Sequence, residues 1–406
     1  MTSVPKSLRR GASPDDPRGT QAPAADVPLW TSSFLLVMVI VHTFFLSNFL
    51  LTAALPLYVA KSPRWQVGLV VGVPFIASLI LRPFTGRLVD RSGRRVYLIT
   101  GAAGCAAMMA LHAVSANIWF LAGVRLLLGA ASAFITTAIM ASLADVLPPT
   151  RRGAGMGWYG IFYTSTNLYG PALGLWLASS FGYAFMFGFD AALNVAALLV
   201  ALVLTETGVR TMKSTPPARL FSRSALLPMS TFLSITIPAG AVTAFLALVE
   251  KQRHGGDPGL FFLLFGVTLM SGRVIGGWVS DRFSRSAAIV PGLVLTGVAM
   301  LGLAAAGAPV AFYLVALMYG FGFALGHTGS TILTMDRAPE AERGAAMATL
   351  TVAWDIGTLV GAFMLGFLVD AAGYGAVFLL VGLIPIAQAG IYMMIAKPRR
   401  GVVAPS

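Results

Sequence analysis

The sequence predicts an all-α membrane protein with twelve transmembrane helices arranged as two six-helix repeats. Three observations predict this fold class: the composition, a set of long apolar runs, and an internal repeat. Of the 406 residues, 57% are hydrophobic and only 11% are charged. Soluble globular chains carry about 25% charged residues. The composition therefore excludes an ordinary soluble enzyme and indicates a chain whose apolar surface faces lipid.

Apolar runs of about 20 residues, the length that crosses a ~30 Å hydrocarbon core, occur twelve times in the sequence. The alternating segments of about ten residues that form a membrane β-barrel do not occur. The runs therefore predict helices. We place them near 33–57, 66–85, 96–114, 117–140, 153–179, 183–204, 227–249, 259–280, 286–306, 309–333, 343–369 and 375–396.

The distribution of Lys and Arg predicts which side of the membrane each loop occupies, because cytoplasmic loops carry an excess of positive charge. With both termini on one side, that side receives 23 of the 28 Lys and Arg residues, with 82–95 and 273–285 counted as loops. The other side receives four, and Arg125 stays within the membrane. Both termini are therefore predicted to be cytoplasmic. The net charge of +13 reflects topology, and we expect no nucleic-acid partner.

The two halves of the chain repeat each other at a spacing of 191 residues without a gap. The aligned pairs include Arg82 with Arg273, Gly86 with Gly277, Asp90 with Asp281, Arg94 with Arg285, Gly129 with Gly320, Asp145 with Asp336, Gly170 with Gly361 and Gly182-Tyr183 with Gly373-Tyr374. Because six helices per repeat is an even number, both halves insert in the same sense and enclose a cavity between them.

This organisation divides the chain into five segments. We predict a disordered cytoplasmic tail over 1–30, which is rich in Pro, Ala, Ser, Asp and Arg. An N-terminal bundle over 31–204, a cytoplasmic linker over 205–226, a C-terminal bundle over 227–396 and a cytoplasmic tail over 397–406 follow. The single cysteine, Cys105, excludes an internal disulfide and a Cys-based metal site. We expect neither a metal nor a cofactor, and a monomeric chain.

A Gly-x-x-x-Asp-Arg-x-Gly-Arg-Arg motif occupies the predicted loop after the second apolar run. Its residues are Gly86, Asp90, Arg91, Gly93 and Arg94, and a degenerate second copy contains Gly277, Asp281 and Arg282. The motif resembles the signature of the major facilitator superfamily, and with the repeat the resemblance covers nearly the whole chain. It implies the major facilitator fold and a conformational latch, which in the family holds the two halves in the outward-open state. The carboxylate is expected near the N-terminal end of a neighbouring helix, whose dipole favours it. A loop that only set the topology is the alternative.

Two further motifs are similar to those of the drug:proton antiporters, the efflux branch of that family. Arg125 shares an inward-facing stripe with Gly129, and the resemblance implies a part in proton coupling. A charge at that depth needs a cavity or a partner; the alternative is that it reaches out from a helix end. The fifth run resembles the antiporter motif, although Thr166 stands where a glycine is usual. The residues of that motif are Gly157, Thr166, Gly170, Pro171 and Gly174.

Four more polar residues are candidates for proton coupling or substrate binding. Asp355 lies about 12 residues into the eleventh run, hence ~18 Å deep at 1.5 Å per residue, where a carboxyl group could bind and release a proton. A salt bridge that fixes helix packing is the alternative. Asp190, His42 and His327 are weaker candidates, because a lone histidine within a membrane is more often a hydrogen-bonded packing residue. Many drug-exporting relatives carry a carboxylate in helix 1, where this sequence has His42 and Asn48, so the usual coupling residue is not carried over.

Aromatic and amide side chains are predicted to form the wall of the cavity. Packing between helices or against lipid is the alternative for each of them. The predicted wall residues are Phe45, Asn48, Tyr163, Asn167 and Thr358, with Phe44, Phe49, Tyr159 and Trp354 as additional aromatic candidates.

The function we expect is secondary active export of a small amphipathic molecule, a drug or secondary metabolite, across the bacterial inner membrane by proton antiport and alternating access. The partners are then the small-molecule substrate, protons and the lipid bilayer. No Gly-x-x-x-x-Gly-Lys-[Ser/Thr] loop occurs in the sequence, which argues against ATP as the driver. The alternatives are a transporter of a polar metabolite, such as a sugar, organic acid or siderophore, and a non-transporting receptor. The four histidines are scattered, so we do not expect an enzyme.

Overall fold

The structure is a computed structural model that describes residues 28–115, 117–207, 223–253, 256–339 and 342–396. The predicted C-terminal tail, most of the predicted linker and residues 1–27 of the predicted N-terminal tail lie outside these ranges. Within the described ranges the chain forms helices and no strand.

The helices follow the predicted apolar runs, and several extend beyond them. The α-helices are α1 Ser32–Tyr58, α2 Arg64–Ser92, α3 Arg94–Ala113, α4 Ile118–Val146, α5 Arg152–Phe181, α6 Tyr183–Val203, α7 Leu226–Arg253, α8 Pro258–Arg282, α9 Arg285–Ala305, α10 Pro309–Arg337, α11 Arg343–Leu359 and α12 Leu365–Ile395. Short 3₁₀ turns cover Pro149–Arg151 and Arg223–Ala225, and a π-helical turn at Val360–Met364 joins α11 to α12.

The extension of α2 corrects one prediction. Gly86, Asp90 and Arg91 belong to the last turns of α2 and not to a loop, because the chain stays helical to Ser92. Gly93 then breaks the helix with a φ of 97°, a conformation that favours glycine.

Ten helical stretches in the described residues are long and apolar enough to cross a membrane. α5 is not among them, and Arg343–Ile395 counts as a single stretch of 53 residues although its backbone is broken at Gly373. Gly373 has a φ of 80°, and its repeat partner Gly182, between α5 and α6, has a φ of 86°. Side chains other than glycine rarely adopt this backbone conformation. Each half therefore turns back at the same position of the repeat.

Equivalent helix contacts occur in the two halves, at the same 191-residue spacing as the sequence repeat. Gly129 of α4 lies so close to Pro74 of α2 that a Cβ atom would collide with the Pro74 backbone. Gly320 of α10 has the same relation to Phe265 of α8. Small residues let membrane helices approach closely. The two halves are thus packed by equivalent contacts, 191 residues apart.

The two halves are in close contact on the side of the molecule that contains the α1–α2 turn, here named the Lys61 side. A Cβ atom on Gly68 of α2 would collide with the Ala362 carbonyl oxygen, and one on Gly266 of α8 would collide with Leu168 of α5. The opposite side, which contains the α2–α3 turn, is named the Asp90 side. The interface between the halves is therefore closed on the Lys61 side.

Close packing of α5 against α1 gives a first prediction. A Cβ atom on Gly174 would collide with the Leu50 carbonyl oxygen of α1, so Gly174→Ala should destabilise the protein by about 1–3 kcal/mol through overpacking. Thermal unfolding of the purified protein in detergent measures the effect. Gly188→Ala in α6 is the matched control, because a Cβ atom there meets nothing within 4 Å. Equal losses in both variants would show that helix contact at Gly174 is not the cause.

Candidate substrate and coupling site

A cavity of about 230 Å³ lies between the two halves and is named here the central cavity. Residues of α1, α2, α4, α5, α7 and α11 line it. The wall includes Phe45, Asn48, Tyr163 and Thr358 from the predicted set. Of the additional aromatic candidates, Phe44, Phe49 and Trp354 also line the cavity. Asn167 and Tyr159 are not among the lining residues.

Six of the 21 residues that line the central cavity are aromatic, and most of its surface is apolar. The Tyr163 ring of α5 makes edge contacts with Phe45 and Phe49 of α1, with ring centroids 4.7 and 5.7 Å apart. Trp354 of α11 lines the cavity from the other half. An apolar wall with a few fixed polar groups is typical of sites that bind small organic molecules.

The Arg82–Asp355 ion pair joins the two halves at the edge of this cavity. Arg82 Nε lies 2.5 Å from Asp355 Oδ2, and Nη2 donates to Oδ1 at 3.3 Å. The Ser78 hydroxyl also donates to Oδ2, at 3.4 Å. Asp355 is 1% exposed, so its charge depends on these partners. The salt bridge weighed as an alternative for Asp355 is therefore present.

Arg82 corrects the charge count made from the sequence. That count places Arg82 in a cytoplasmic loop, together with its repeat partner Arg273, but α2 and α8 continue well past these residues. Arg82 and Arg273 therefore lie within helices and not in loops. The excess of Lys and Arg on the Asp90 side remains without them.

A second cavity of about 260 Å³ lies next to the ion pair, toward the Asp90 side. Arg82 lines both cavities, and the second cavity is also lined by Gly86, Thr137 and Thr351. Arg82 therefore lies between the two cavities.

Arg125 lies in the wall of the central cavity and does not reach out from the end of α4. Its Nε atom donates to the Val70 carbonyl oxygen of α2 at 3.0 Å. Among the described residues Arg125 forms no ion pair within 4.0 Å. Asp190 is the carboxylate that acts on it electrostatically.

Asp190 is buried inside the N-terminal half and is not among the residues that line the central cavity. Its carboxylate oxygens accept no hydrogen bond of regular geometry from the described residues, although Ser47 and Arg125 are polar neighbours. Asn194 donates through Nδ2 to the Ser47 hydroxyl at 2.6 Å and to the Asp190 carbonyl oxygen at 3.1 Å. This group is a polar cluster internal to one half.

The candidate histidines do not line the central cavity. His42 connects α1 to α5, with Nε2 2.6 Å from the Tyr169 hydroxyl and Nδ1 3.3 Å from the Phe162 carbonyl oxygen. His327 of α10 packs against the rings of Phe232 and Phe323. Their positions match the packing alternative considered from the sequence.

The predicted latch residues form two equivalent clusters on the Asp90 side. Arg94 contacts Asp90 at 3.2 Å and Asp145 at 2.9 Å. In the second half, the repeat-related Arg285 contacts Asp281 at 2.8 Å and Asp336 at 2.6 Å. Each cluster stays within its own half. Gly277 and Arg282 lie in the last turns of α8 beside Asp281.

The carboxylate of Glu206 lies at the N-terminal end of α3. Glu206 accepts hydrogen bonds from the backbone N–H groups of Arg94, at 2.8 Å, and Arg95, at 3.2 Å. A carboxylate in this position is favoured by the helix dipole. Asp90, at the C-terminal end of α2, is instead half exposed beside Arg94.

In the second half of the predicted antiporter motif, the glycines pack α5 against α1. Gly170 approaches Phe49, Gly174 approaches Leu50, and both contacts bring α5 onto α1. The Thr166 hydroxyl donates to the Tyr163 carbonyl oxygen at 2.6 Å. Gly157, by contrast, has open space where a Cβ atom would lie. Pro171 lies within the helix.

A cluster here named the outer gate connects the halves on the Lys61 side. The Asp370 carboxylate of α12 accepts hydrogen bonds from the backbone N–H groups of Arg64, at 3.0 Å, and Trp65, at 2.9 Å. It therefore caps the N-terminal end of α2 from the opposite half. The Trp65 ring also stacks on Phe367, with centroids 5.5 Å apart.

Sequence reasoning missed several of these residues. Arg82 and Arg273 enter the sequence analysis only as repeat partners and as loop charges, and neither is predicted to lie at the site. Asp145 and Asp336 enter it only as repeat partners, although their equal spacing from Arg94 and Arg285 could have identified them as partners of these arginines. Nothing in the sequence pattern indicated Asp370. The described residues contain no group of His, Cys, Asp and Glu side chains that could hold a metal ion.

Comparison with known sequences gives one family match and several bacterial relatives. The sequence model of the Major Facilitator Superfamily matches residues 37–280 and 229–405. The multidrug resistance protein MdtG of Dickeya zeae is 27% identical over 339 residues, which cover 79% of this chain and 82% of that protein. The multidrug resistance efflux pump PmrA homolog of Lactococcus lactis is 28% identical over 63% of this chain and 66% of its own length. The staphylopine export protein of Staphylococcus aureus is 23% identical over 87% of this chain and 93% of its own length.

Solved structures show the same fold at low sequence identity. A bacterial homolog of the human lysosomal transporter Spinster, in an inward-facing and occupied conformation, has a TM-score of 0.75 and 15% identity over 91% of this chain and 97% of that one. A single-residue mutant of the nucleoside transporter NupG has a TM-score of 0.73 and 14% identity over 90% of this chain and all of that one.

The outer gate gives a second prediction. Asp370→Ala removes the cap of α2 and should weaken closure by about 1–2 kcal/mol, which changes the ratio of closed to open molecules by roughly tenfold. The measurement is the distance between spin labels at Lys61→Cys and Gly307→Cys, in a Cys105→Ser background. Asp257→Ala is the control, because Asp257 caps its own helix through the Gly259 N–H at 2.6 Å. An unchanged distance distribution in Asp370→Ala would show that the cap does not hold the halves together.

Proposed function

Because the chain belongs to the major facilitator superfamily, we propose that it exports a small amphipathic molecule by proton antiport and alternating access. The family and its relatives indicate a transporter rather than an enzyme. The names of two relatives refer to multidrug resistance, and a third to export, which supports the outward direction. The proposal includes twelve membrane spans, cytoplasmic termini, a bacterial inner-membrane location and a monomeric chain.

The observation that carries the proposal is the Arg82–Asp355 ion pair at the edge of an aromatic cavity. The aromatic wall suits an apolar substrate body, and the ion pair links the halves at the same place. Substrate binding and the interface between the halves can therefore influence each other directly. An isolated substrate pocket within one half would lack this connection.

Protonation of Asp355 is the proposed coupling step. A proton on the Asp355 carboxylate removes its charge and leaves Arg82 without its partner, so the link between α2 and α11 weakens. Loss of a proton restores the ion pair. Breaking a buried ion pair costs several kcal/mol, which is enough to change the populations of two conformations strongly.

The second cavity supplies the path for the proton in this proposal. It adjoins Arg82 on the Asp90 side, which is cytoplasmic in the predicted orientation. The close contacts on the Lys61 side support an inward-open state in that orientation. Asp355 would then exchange protons with the cytoplasm through the second cavity.

Export is tested with inverted membrane vesicles that contain the full chain. Uptake of lipophilic cations, antibiotics, sugars and siderophores is measured with and without a protonophore. We expect accumulation of at least one amphipathic compound and its loss when the protonophore collapses the proton gradient. Accumulation that is indifferent to the protonophore would exclude proton antiport, and selective transport of sugars would favour the polar-metabolite alternative.

Substitution of Asp355 gives a third prediction. Asp355→Asn fixes a neutral side chain at this position, so proton-driven accumulation in proteoliposomes should fall at least tenfold, while exchange of labelled for unlabelled substrate continues. Asp257→Asn, which changes a carboxylate outside the cavity, should keep both activities. Full accumulation by Asp355→Asn would move the coupling role to Asp190 or His42 and leave Asp355 as a packing residue.

The latch gives a fourth prediction. Asp90→Asn keeps the side-chain volume but removes the charge that faces Arg94, so transport should fall at least tenfold at normal membrane abundance. Asp281→Asn should have a milder effect because its motif copy is degenerate. Rates of transport in vesicles, normalised to the amount of protein, provide the comparison. Wild-type transport by Asp90→Asn would show that the motif only sets the topology and is not a latch.

A further inference from the structure

The charged groups in and around the central cavity do not balance. Three guanidinium groups, those of Arg82, Arg125 and Arg273, lie in its wall or against it. Only two carboxylates among the described residues, those of Asp190 and Asp355, lie at comparable positions. Charges inside a membrane persist when they are paired or hydrated. One positive charge is therefore in excess however the groups are paired.

Neither carboxylate is available to a substrate in the central cavity. Asp355 is held by Arg82 and Ser78. Asp190 is buried behind the wall and does not line the central cavity. A cationic substrate would therefore find no free carboxylate on the cavity surface that the structure describes.

The partner of Arg273 explains why positive charges outnumber negative charges around the cavity. Its repeat partner Arg82 crosses to Asp355 in the opposite half, and Arg273 also crosses to the opposite half. The position equivalent to Asp355 is Thr164, however, and Arg273 lies instead over the Tyr163 ring, 5.6 Å from its centroid. Its Nε atom is buried without a hydrogen-bond partner among the described residues. An aromatic ring attracts the charge but does not neutralise it.

Arg125 is the arginine best placed to meet a ligand. It lines the central cavity, and the described structure gives it one hydrogen bond, from Nε to the Val70 carbonyl oxygen. A guanidinium group has five N–H donors. Most of its donors therefore remain for a group inside the cavity, and the bond to Val70 fixes the direction in which the planar group points.

We propose that the substrate carries an anionic group, such as a carboxylate, on an apolar aromatic body, and that Arg125 binds the anionic group. This inference rests on the proposed function, since it names the chemical class of the exported molecule. The guanidinium fork matches a carboxylate through two parallel hydrogen bonds. The rings of Phe45, Phe49 and Tyr163 then contact the apolar body. An anion that leaves a cell with a negative interior also moves down the electrical gradient.

Equilibrium binding to the full chain in nanodiscs tests the charge preference. The probes are three biphenyl compounds and three naphthalene compounds, each series carrying a carboxymethyl, a carboxamidomethyl or an aminomethyl group on the same ring system. Binding is followed by the shift in thermal unfolding, since ligands stabilise the state that binds them. We expect the carboxylate of each series to bind roughly tenfold more tightly than the amide, as for one charge-assisted hydrogen-bonded pair, and the ammonium compound to bind least.

Variants of Arg125 assign the preference to this residue. Arg125→Gln should lower the affinity for the carboxylates roughly tenfold and change the affinity for the amides less than twofold. Arg125→Lys should keep part of the preference, which guards against misfolding as the explanation. Arg337→Gln, which removes an exposed arginine, should change neither affinity.

Three outcomes would overturn the inference: tighter binding of the ammonium compounds, an unchanged carboxylate affinity in Arg125→Gln, or no carboxylate binding at millimolar concentration. Equilibrium binding needs no proton gradient. The charge preference can therefore hold if proton antiport fails in vesicles, and it can fail if antiport holds.

Discussion

A charged side chain in a hydrocarbon layer must find a partner, and the Arg82–Asp355 pair meets this requirement across the boundary between the two halves. Either residue alone would be an uncompensated charge inside the protein, so the pair and the contact between α2 and α11 depend on each other. The central cavity and the second cavity both adjoin this link. A reaction that changes one charge here, such as proton binding, therefore acts on the interface as a whole.

The internal repeat makes the two halves similar, but they differ in the partners of two equivalent arginines, and the proposed coupling depends on this difference. Arg82 and Arg273 occupy equivalent positions and both cross to the opposite half. One meets a carboxylate and the other meets the ring of Tyr163. In the proposed mechanism a proton switches the first contact and leaves the second unchanged. The α2–α11 interface would then respond to protonation, while the α5–α8 interface supplies a contact that persists.

Much of the fold could be predicted from the sequence, because apolar length, the 191-residue spacing and glycine positions are local or periodic properties. Gly182 and Gly373 even mark the two equivalent turns. The partners in the candidate site could not be predicted in the same way. Asp355 was recognised from its depth, but its pairing with Arg82 depends on how α2 and α11 are rotated, and Arg82 was counted with a loop. Asp370 was missed because it caps a helix of the other half, and no spacing in the sequence indicates a contact of this kind.

The two sides of the molecule are held by different kinds of contact, and this bears on alternating access. On the Lys61 side, Asp370 caps α2 through backbone N–H groups, and Trp65 stacks on Phe367. On the Asp90 side, the clusters around Arg94 and Arg285 each remain within one half. Two conformations can interconvert only if their free energies are similar. Opening the Lys61 side must therefore be compensated by contacts formed on the Asp90 side, and the charged clusters there are the groups available to form them. The Arg82–Asp355 pair lies between these two sets of contacts, so in the proposed mechanism its protonation biases the exchange of one set for the other.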